Sequence, residues 1–179
     1  MNANLIAQNE NIRRNNSIAK HQSDVEINIV CDDSHLPTRQ TKGSTGYDLY
    51  ANIPEQIHTY GDNEITLREV YVSSNGTRCI PTGVKIQIPE GYVGKLHCRS
   101  GLAAKHSISV LNGTGIIDSD YRDEIGVILH NHSDTPFIIT DGMRIAQLLI
   151  EKVIDVKWRQ VYSIGLSDER TGGFGSTGI

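Results

Sequence analysis

Apolar residues recur at every second position along most of this chain. In "VEINIV", Val25, Ile27 and Ile29 point one way. Val84, Ile86 and Ile88 do so in "GVKIQIP", and Ile125, Val127 and Leu129 in "EIGVILH". A period of two turns one face of a strand inward and leaves the other to solvent. "PFIIT" and "RIAQLLIEKV" are rich in β-forming residues and extend the series. In the second of these, alternation puts Ile145 and Gln147 on one face, with Arg144 and Ala146 on the other. Turn signals separate the runs at short intervals: "TKGSTG", "SSNGTR", "PEGY", "NGTG", "SDTP" and "TDGM". Many short strands between such turns predict an all-β fold, a jelly-roll-like sandwich or barrel. Only "SGLAAKH" reads as helix, over about two turns. Weaker alternation between Glu55 and Arg78 predicts a strand pair with an exposed loop at Ser73–Gly76. "NGTGIIDSDYRDEIGV" predicts a tight hairpin.

The ends break the pattern. Residues 1–23 are polar, asparagine-rich and aperiodic, the profile of a mobile extension to a β domain at 24–160. From 161 to 179 the chain becomes a glycine-rich arm ending in "ERTGGFGSTGI". By default such an end is a disordered tail. Its phenylalanine, arginine and hydroxyls suggest instead a segment ordered by what it binds.

Composition narrows the function classes. A chain of 179 residues, 37% of them apolar, is long enough for one domain with a real core. The net charge of −4 argues against a surface built to coat nucleic acid. Cys31, Cys79 and Cys98 form no C-x-x-C pair, and an odd count suits no disulfide framework, so a reducing compartment is expected. No apolar run approaches a membrane span, and the N-terminal residues lack the apolar stretch of a secretory signal. The expectation is an intracellular protein of cytoplasm or nucleus, with no membrane and no nucleic-acid partner.

Several short stretches carry candidate chemistry. Arg99, Ser100 and Gly101 open the helical segment, where a guanidinium, a hydroxyl and backbone N–H groups suit an anion. Asp48 follows a glycine turn in "GYDL". Asp118, Asp120, Tyr121, Asp123 and Glu124 crowd one turn region, where aspartates are ordinarily solvated turn formers. His130 and His132 have metal-ligand spacing but no evident third ligand. No Walker-type phosphate loop is present.

Taken singly these stretches are ordinary turns. In order, "GYDL" (46–49), "RSG" (99–101), "GIIDSDY" (115–121), "RIAQ" (144–147) and "GGFGSTG" (172–178) resemble the five motifs of the trimeric deoxyuridine triphosphatase (dUTPase) family. The resemblance runs from about Ile27 to Ile179. It implies a β-clip jelly roll assembled as a homotrimer with a swapped C-terminal arm and sites at subunit boundaries. It also implies hydrolysis of dUTP to dUMP and pyrophosphate with Mg2+, which keeps uracil out of DNA and supplies dUMP for thymidylate synthesis.

The same resemblance assigns roles. Asp118 would be the general base that orients water for attack at the α-phosphorus. Asn112, the backbone of Gly115, Ile116, Ile117 and Asp118, and Gly126 would read uracil, while Tyr121 would lie against the deoxyribose. Arg99, Ser100, Gly101 and Gln147 would hold phosphate oxygens. Asp48 would act on magnesium through its waters, and Arg144 would support the site. From the arm, Phe174 would stack on the base and Arg170, Gly175, Ser176 and Thr177 would bind the terminal phosphates.

The chain departs from the family pattern in four places. One residue fewer separates Arg170 from the "GGF". Asp123 stands where glycine is usual, at a position expected to need left-handed backbone. His97-Cys98 precedes "RSG" where a proline or small residue is common, and the N-terminus and the 55–80 region are longer. A dCTP deaminase of the same fold is the nearest alternative, disfavoured by the "IDSDY" turn and the glycine-rich arm. A fold-mate that regulates a partner protein is the other, disfavoured by an intact set of site residues.

Overall fold

The computed structural model describes residues 24–60 and 63–165. Among them the chain forms thirteen strands, one short 3-10 helix (Asp33–His35) and one α-helix, α1 (Ser100–His106). β13 (Arg144–Lys152) is the longest strand and organises the largest sheet, running between β2 (Tyr47–Tyr50) and β8 (Tyr92–His97). β10 (Gly115–Ile117) pairs with the other edge of β8. A second sheet has β11 (Gly126–Asn131) between β6 (Thr77–Pro81) and β9 (Ile108–Val110). Three antiparallel pairs complete the fold: β1 (Asn28–Val30) with β7 (Lys85–Gln87), β5 (Glu69–Val72) with β12 (Phe137–Thr140), and β3 (Gln56–Tyr60) with β4 (Asn63–Leu67). These small sheets give the expected all-β, jelly-roll-like architecture, and the described strands close no barrel. No helix among the described residues is long and apolar enough to cross a membrane.

The alternation in the sequence selects the core. Val84, Ile86 and Ile88 are buried, as are Ile125, Val127 and Leu129, in one cluster with Leu49, Ala51 and Ile53. Each such side chain contributes roughly 1.5–3 kcal/mol when withdrawn from water. α1 begins where "RSG" supplies no acidic or β-branched residue, and it ends at Ser107 in the left-handed conformation, φ 56°. Its last turn carries Lys105 and His106, the sign that suits a helix C-terminus. The three cysteines are free thiols. Burial, helped by the neighbouring Asp32 and Asp33, pushes the Cys31 thiol up and keeps it protonated at neutral pH.

Four expectations need correction. Val25 and Ile29 do not point into the core, since each is 38% exposed. β1 pairs only with β7, and Ile29, with Val25 and Ile27 ahead of the strand, lines an open groove shared with Leu36, Tyr47 and Ile150. The Glu55–Arg78 region holds four strands rather than two. β3 and β4 pair with each other, whereas β5 and β6 diverge to β12 and β11. The turn between them, with Asn75 at φ 49°, bonds to Ser133 through the Asn75 N–H and so carries the chain from one sheet to another.

The "GIIDSDYRDEIGV" stretch is not a hairpin either, because β10 joins β8 while β11 joins β6 and β9. The intervening residues therefore cross between sheets. In β13 the simple alternation fails as well. A bulge between Arg144 and Ala146 buries both Ile145 and Ala146 and turns Arg144 and Gln147 toward the same region. An extra residue in one strand re-aims the side chains that follow it, a device common beside functional sites.

Asn131 ties three segments together from a fully buried position. Its amide donates to the carbonyls of Val72 (3.1 Å) and Thr135 (2.8 Å), and its oxygen accepts from the N–H and hydroxyl of Ser133 (2.9 and 2.7 Å). Asn131→Asp would set a carboxylate oxygen against two carbonyls. Stability is expected to fall by about 2–4 kcal/mol, read as a lower urea midpoint with unchanged slope at matched protein concentration. An unshifted midpoint would contradict this account of Asn131.

Candidate active site

Asp48 sits on β2, directly opposite Gln147 of β13. Its N–H donates to Thr38 O (2.8 Å), which fixes the strand at that point. Gly46 precedes it because the Gln147 side chain fills the space a Cβ would occupy. The Asp48 carboxylate is buried and held by two arginines. Arg99 Nε lies 3.0 Å from Oδ1, and Arg144 Nη1 lies 3.3 Å from Oδ2. Arg99 Nη1 also donates to the Arg144 carbonyl at 3.4 Å. One carboxylate between two guanidiniums leaves a net positive charge, with both arginines partly exposed. A positive, partly desolvated cluster of this kind attracts phosphate oxygens.

The turn carrying Arg99 is fixed from behind. Gln147 Nε2 donates to Cys98 O (2.9 Å), and the Val110 N–H donates to Cys98 Sγ (2.8 Å). The cysteine that departs from the family pattern thus anchors the turn to β9. Arg99, Ser100, Gly101, Asp48 and Gln147 line one cleft of about 700 Å³, together with Gly46 and Gly113. Arg144 stands behind it through Asp48.

Gln40, Ser44 and Thr45 also line this cleft. Sequence reasoning took "TKGSTG" for a turn only. The signal was its run of hydroxyls just ahead of "GYDL", organised here by the Thr41–Ser44 hydroxyl bond (2.8 Å).

Asn112, Gly115, Ile116, Ile117, Asp118, Tyr121 and Gly126 are not brought into that cleft. They lie along the stretch of chain from the end of β9 to the start of β11. The Asn112 side-chain amide packs at Gly115, where a Cβ would meet it at 3.2 Å. Ile117 is buried, Ile116 and Asp118 are exposed, and a turn from Asp118 to Tyr121 closes through Tyr121 N–H to Asp118 O (3.2 Å). Arg122 Nη1 wraps the turn by donating to the carbonyls of Ser119 and Tyr121 (2.7 and 2.8 Å).

Two glycine arguments change along this stretch. Asp123 is not left-handed: among described non-glycine residues only Asn75 and Ser107 have positive φ. The turn therefore does not need the glycine usual at that position. Gly126 has a packing reason of its own, because a Cβ there would stand 2.6 Å from Cys79 Sγ.

His130 and His132 stack edge to face, 4.3 Å between centroids, each bonded to a hydroxyl, of Thr77 and Ser109 respectively. No group of three or more potential metal ligands occurs among the described residues. Arg170, Phe174, Gly175, Ser176 and Thr177 lie outside the described residues.

Known proteins resemble this chain in sequence and in fold. The family model for dUTPase matches residues 32–178. A deoxyuridine 5'-triphosphate nucleotidohydrolase of Dictyoglomus turgidum is 42% identical over 155 residues, 87% of this chain and 98% of the relative. The enzyme of that name from Oryza sativa is 39% identical over 162 residues, 90% of this chain and 85% of the relative. A mutant Staphylococcus bacteriophage 80alpha dUTPase with dUpNHpp shares the fold, with a TM-score of 0.69 at 24% identity, covering 88% of this chain and all of that one. Five motifs in order, a positive cleft built from three of them, and a family match across more than four-fifths of the residues have one common explanation: this chain belongs to the dUTPase family.

Proposed function

We propose that the chain hydrolyses dUTP to dUMP and pyrophosphate by attack of water at the α-phosphorus, keeping uracil out of DNA and supplying dUMP for thymidylate synthesis. The observation that carries this reading is the cleft where Arg99, Ser100, Gly101 and Gln147 converge around the Asp48 cluster. In the proposed reaction, Asp118 accepts a proton from the attacking water as its oxygen bonds to the α-phosphorus. The bond from that phosphorus to the bridging oxygen breaks, and pyrophosphate leaves with the electron pair. Such a reaction needs alignment and charge neutralisation more than covalent help. The Arg99 guanidinium, the Ser100 hydroxyl, the Gly101 N–H and the Gln147 amide supply the neutralisation.

The residues present fit a magnesium ion carried by the triphosphate rather than one held by the protein. Asp48 is already bonded to two guanidiniums, which leaves it to act on the ion through water. Bound there, Mg2+ supplies further charge neutralisation on the phosphates.

On the nucleoside side, Asn112 and the backbone from Gly115 to Asp118, with Gly126, read uracil, and the Tyr121 ring excludes a 2′-hydroxyl. Phe174 stacks on the base, while Arg170, Gly175, Ser176 and Thr177 close over the terminal phosphates. The units in this reading are an extension (1–23), a body (24–160) and an arm (161–179), in a protein of cytoplasm or nucleus.

A homotrimer sharing its sites between subunits accounts for two features. The Asp118–Tyr121 cluster lies outside the cleft of its own chain. After β13, Ile154, Trp158, Tyr162 and Ile164 are each at least 85% exposed, a run of apolar surface that a neighbouring subunit would cover.

Three outcomes are expected. Incubated with dUTP, dCTP or UTP and magnesium, the protein is expected to turn over dUTP far ahead of the others and release dUMP and pyrophosphate. Formation of dUTP from dCTP would replace this reading with a deaminase, and comparable kcat/KM for UTP would remove Tyr121 from its role.

Asp118→Asn is expected to lose roughly 10²–10⁴-fold in kcat while still binding nucleotide. Near-normal turnover would move the base elsewhere, with Asp120 the first candidate.

The third outcome concerns sharing. Asp118→Asn and a chain truncated after Glu169 are refolded together in equal amounts. If Asp118 and the arm meet across subunits, roughly a quarter of sites recover both parts under cyclic symmetry. Mixed trimers as inactive as their parents would assign both parts to one chain.

A further inference from the structure

Glu124 has no part in the reaction above, yet its carboxylate is the most heavily used acceptor near the nucleoside cluster. Its Oε1 accepts from the N–H of Thr82 (3.0 Å) and of Gly83 (2.7 Å). Two successive N–H groups converge on one oxygen because the turn at 82–83 is left-handed at Gly83, φ 69°. A side chain at Gly83 would also meet the Asn52 amide, at a φ that residues with a Cβ rarely adopt. Convergent backbone N–H groups of this kind form a nest for an anion. The adjacent peptide is pinned too: Ile125 N–H donates to Val84 O (2.8 Å), and Thr82 Oγ1 donates to Ile125 O (2.6 Å).

The peptide joining Glu124 to Ile125 has its N–H bonded to Val84 and its carbonyl facing the other way. That carbonyl accepts the phenol O–H of Tyr121 at 2.8 Å. Tyr121 is therefore held at both ends, its backbone by the Asp118 turn and its phenol by an anchored carbonyl. A ring free to swing yields to an additional hydroxyl on the sugar; a ring tied at its far end does not.

We propose that Glu124 is a positioning residue for Tyr121, and through it a determinant of the preference for deoxyribose over ribose. The inference rests on the role of Tyr121 in the proposed function. Its test is the ratio of kcat/KM for dUTP to that for UTP, measured in Tyr121→Ala, Tyr121→Phe, Glu124→Ala, Glu124→Gln and the Tyr121→Phe/Glu124→Ala double variant. Removing charge-assisted bonds, or the phenol they hold, is expected to lower the ratio about tenfold. Tyr121→Phe and Glu124→Ala each do so, Glu124→Ala with kcat for dUTP little changed, and the double variant loses no more than either because both act on one contact. Glu124→Gln keeps most of the preference, since its amide oxygen can accept the same two N–H groups.

A ratio lost in Tyr121→Ala but intact in folded Glu124→Ala and in Tyr121→Phe overturns the anchor alone. A ratio unmoved in Tyr121→Ala overturns the sugar-facing role and this inference with it. Should Glu124→Ala fail to fold, Tyr121→Phe tests the contact itself, because it removes only the hydroxyl that donates to Glu124 O, and an unmoved ratio there overturns the proposal.

Discussion

The carboxylate of Asp48, buried between Arg99 and Arg144, is the constraint on which the cleft depends. Three segments meet at that ion cluster: β2 brings the acid, the turn between β8 and α1 brings Arg99, and β13 brings Arg144. A buried charge is tolerable only when its partners are in place, and removing one partner ordinarily costs about 3–5 kcal/mol. The cluster therefore selects one relative placement of the three segments. That placement sets Ser100, Gly101 and Gln147 around one cavity. The bulge in β13 belongs to the same constraint, because without it Arg144 and Gln147 would project from opposite faces.

The second cluster depends on different physics. Around Asp118 and Tyr121 the chain is a crossing between sheets, held by backbone carbonyls, the Arg122 guanidinium and the Glu124 carboxylate. Of the residues assigned to the nucleoside, Asn112, Ile116, Asp118 and Tyr121 face solvent, whereas Gly115 and Ile117 are buried. In the proposed reading the first cluster would hold phosphates, and the second would meet the base and sugar with its backbone and the Tyr121 ring. The second set does not line the cleft of its own chain, and under the proposed trimer a neighbouring subunit would bring the two together.

Much of this was legible in the sequence, for identifiable reasons. Val84, Ile86 and Ile88, and Ile125, Val127 and Leu129, are buried because a period of two leaves a strand only one inward face. Val25 and Ile29 obey the same period, but Val25 precedes β1 and Ile29 lies in a two-stranded pair, and alternation alone does not say what a strand faces. The bulge at Arg144–Ala146 was invisible because "RIAQLL" reads equally well without an extra residue. The "IDSDYRDE" stretch offered turn residues on both sides, and nothing local distinguishes a hairpin from a crossing. The motif residues of the cleft came from their order along the chain, whereas Gln40, Ser44 and Thr45 had only a run of hydroxyls in a turn to mark them. Glu124 was hidden among acids that are usually solvated, since its partners are main-chain groups some forty residues away.

The ion pair between Asp48 and Arg144 spans 96 residues of chain. On a ribosome adding about 5–20 residues per second, the two ends of that pair are made roughly 5–20 seconds apart. For that interval β2 has been synthesised while its neighbour in the sheet, β13, does not yet exist. Leu49, Ala51 and Ile53 are apolar and uncovered, and Asp48 has no arginine from β13 to meet. The order in which the chain is born thus postpones the cleft until nearly the whole body has emerged. A nascent chain released early would carry the first motif of its active site on an open, adhesive strand edge.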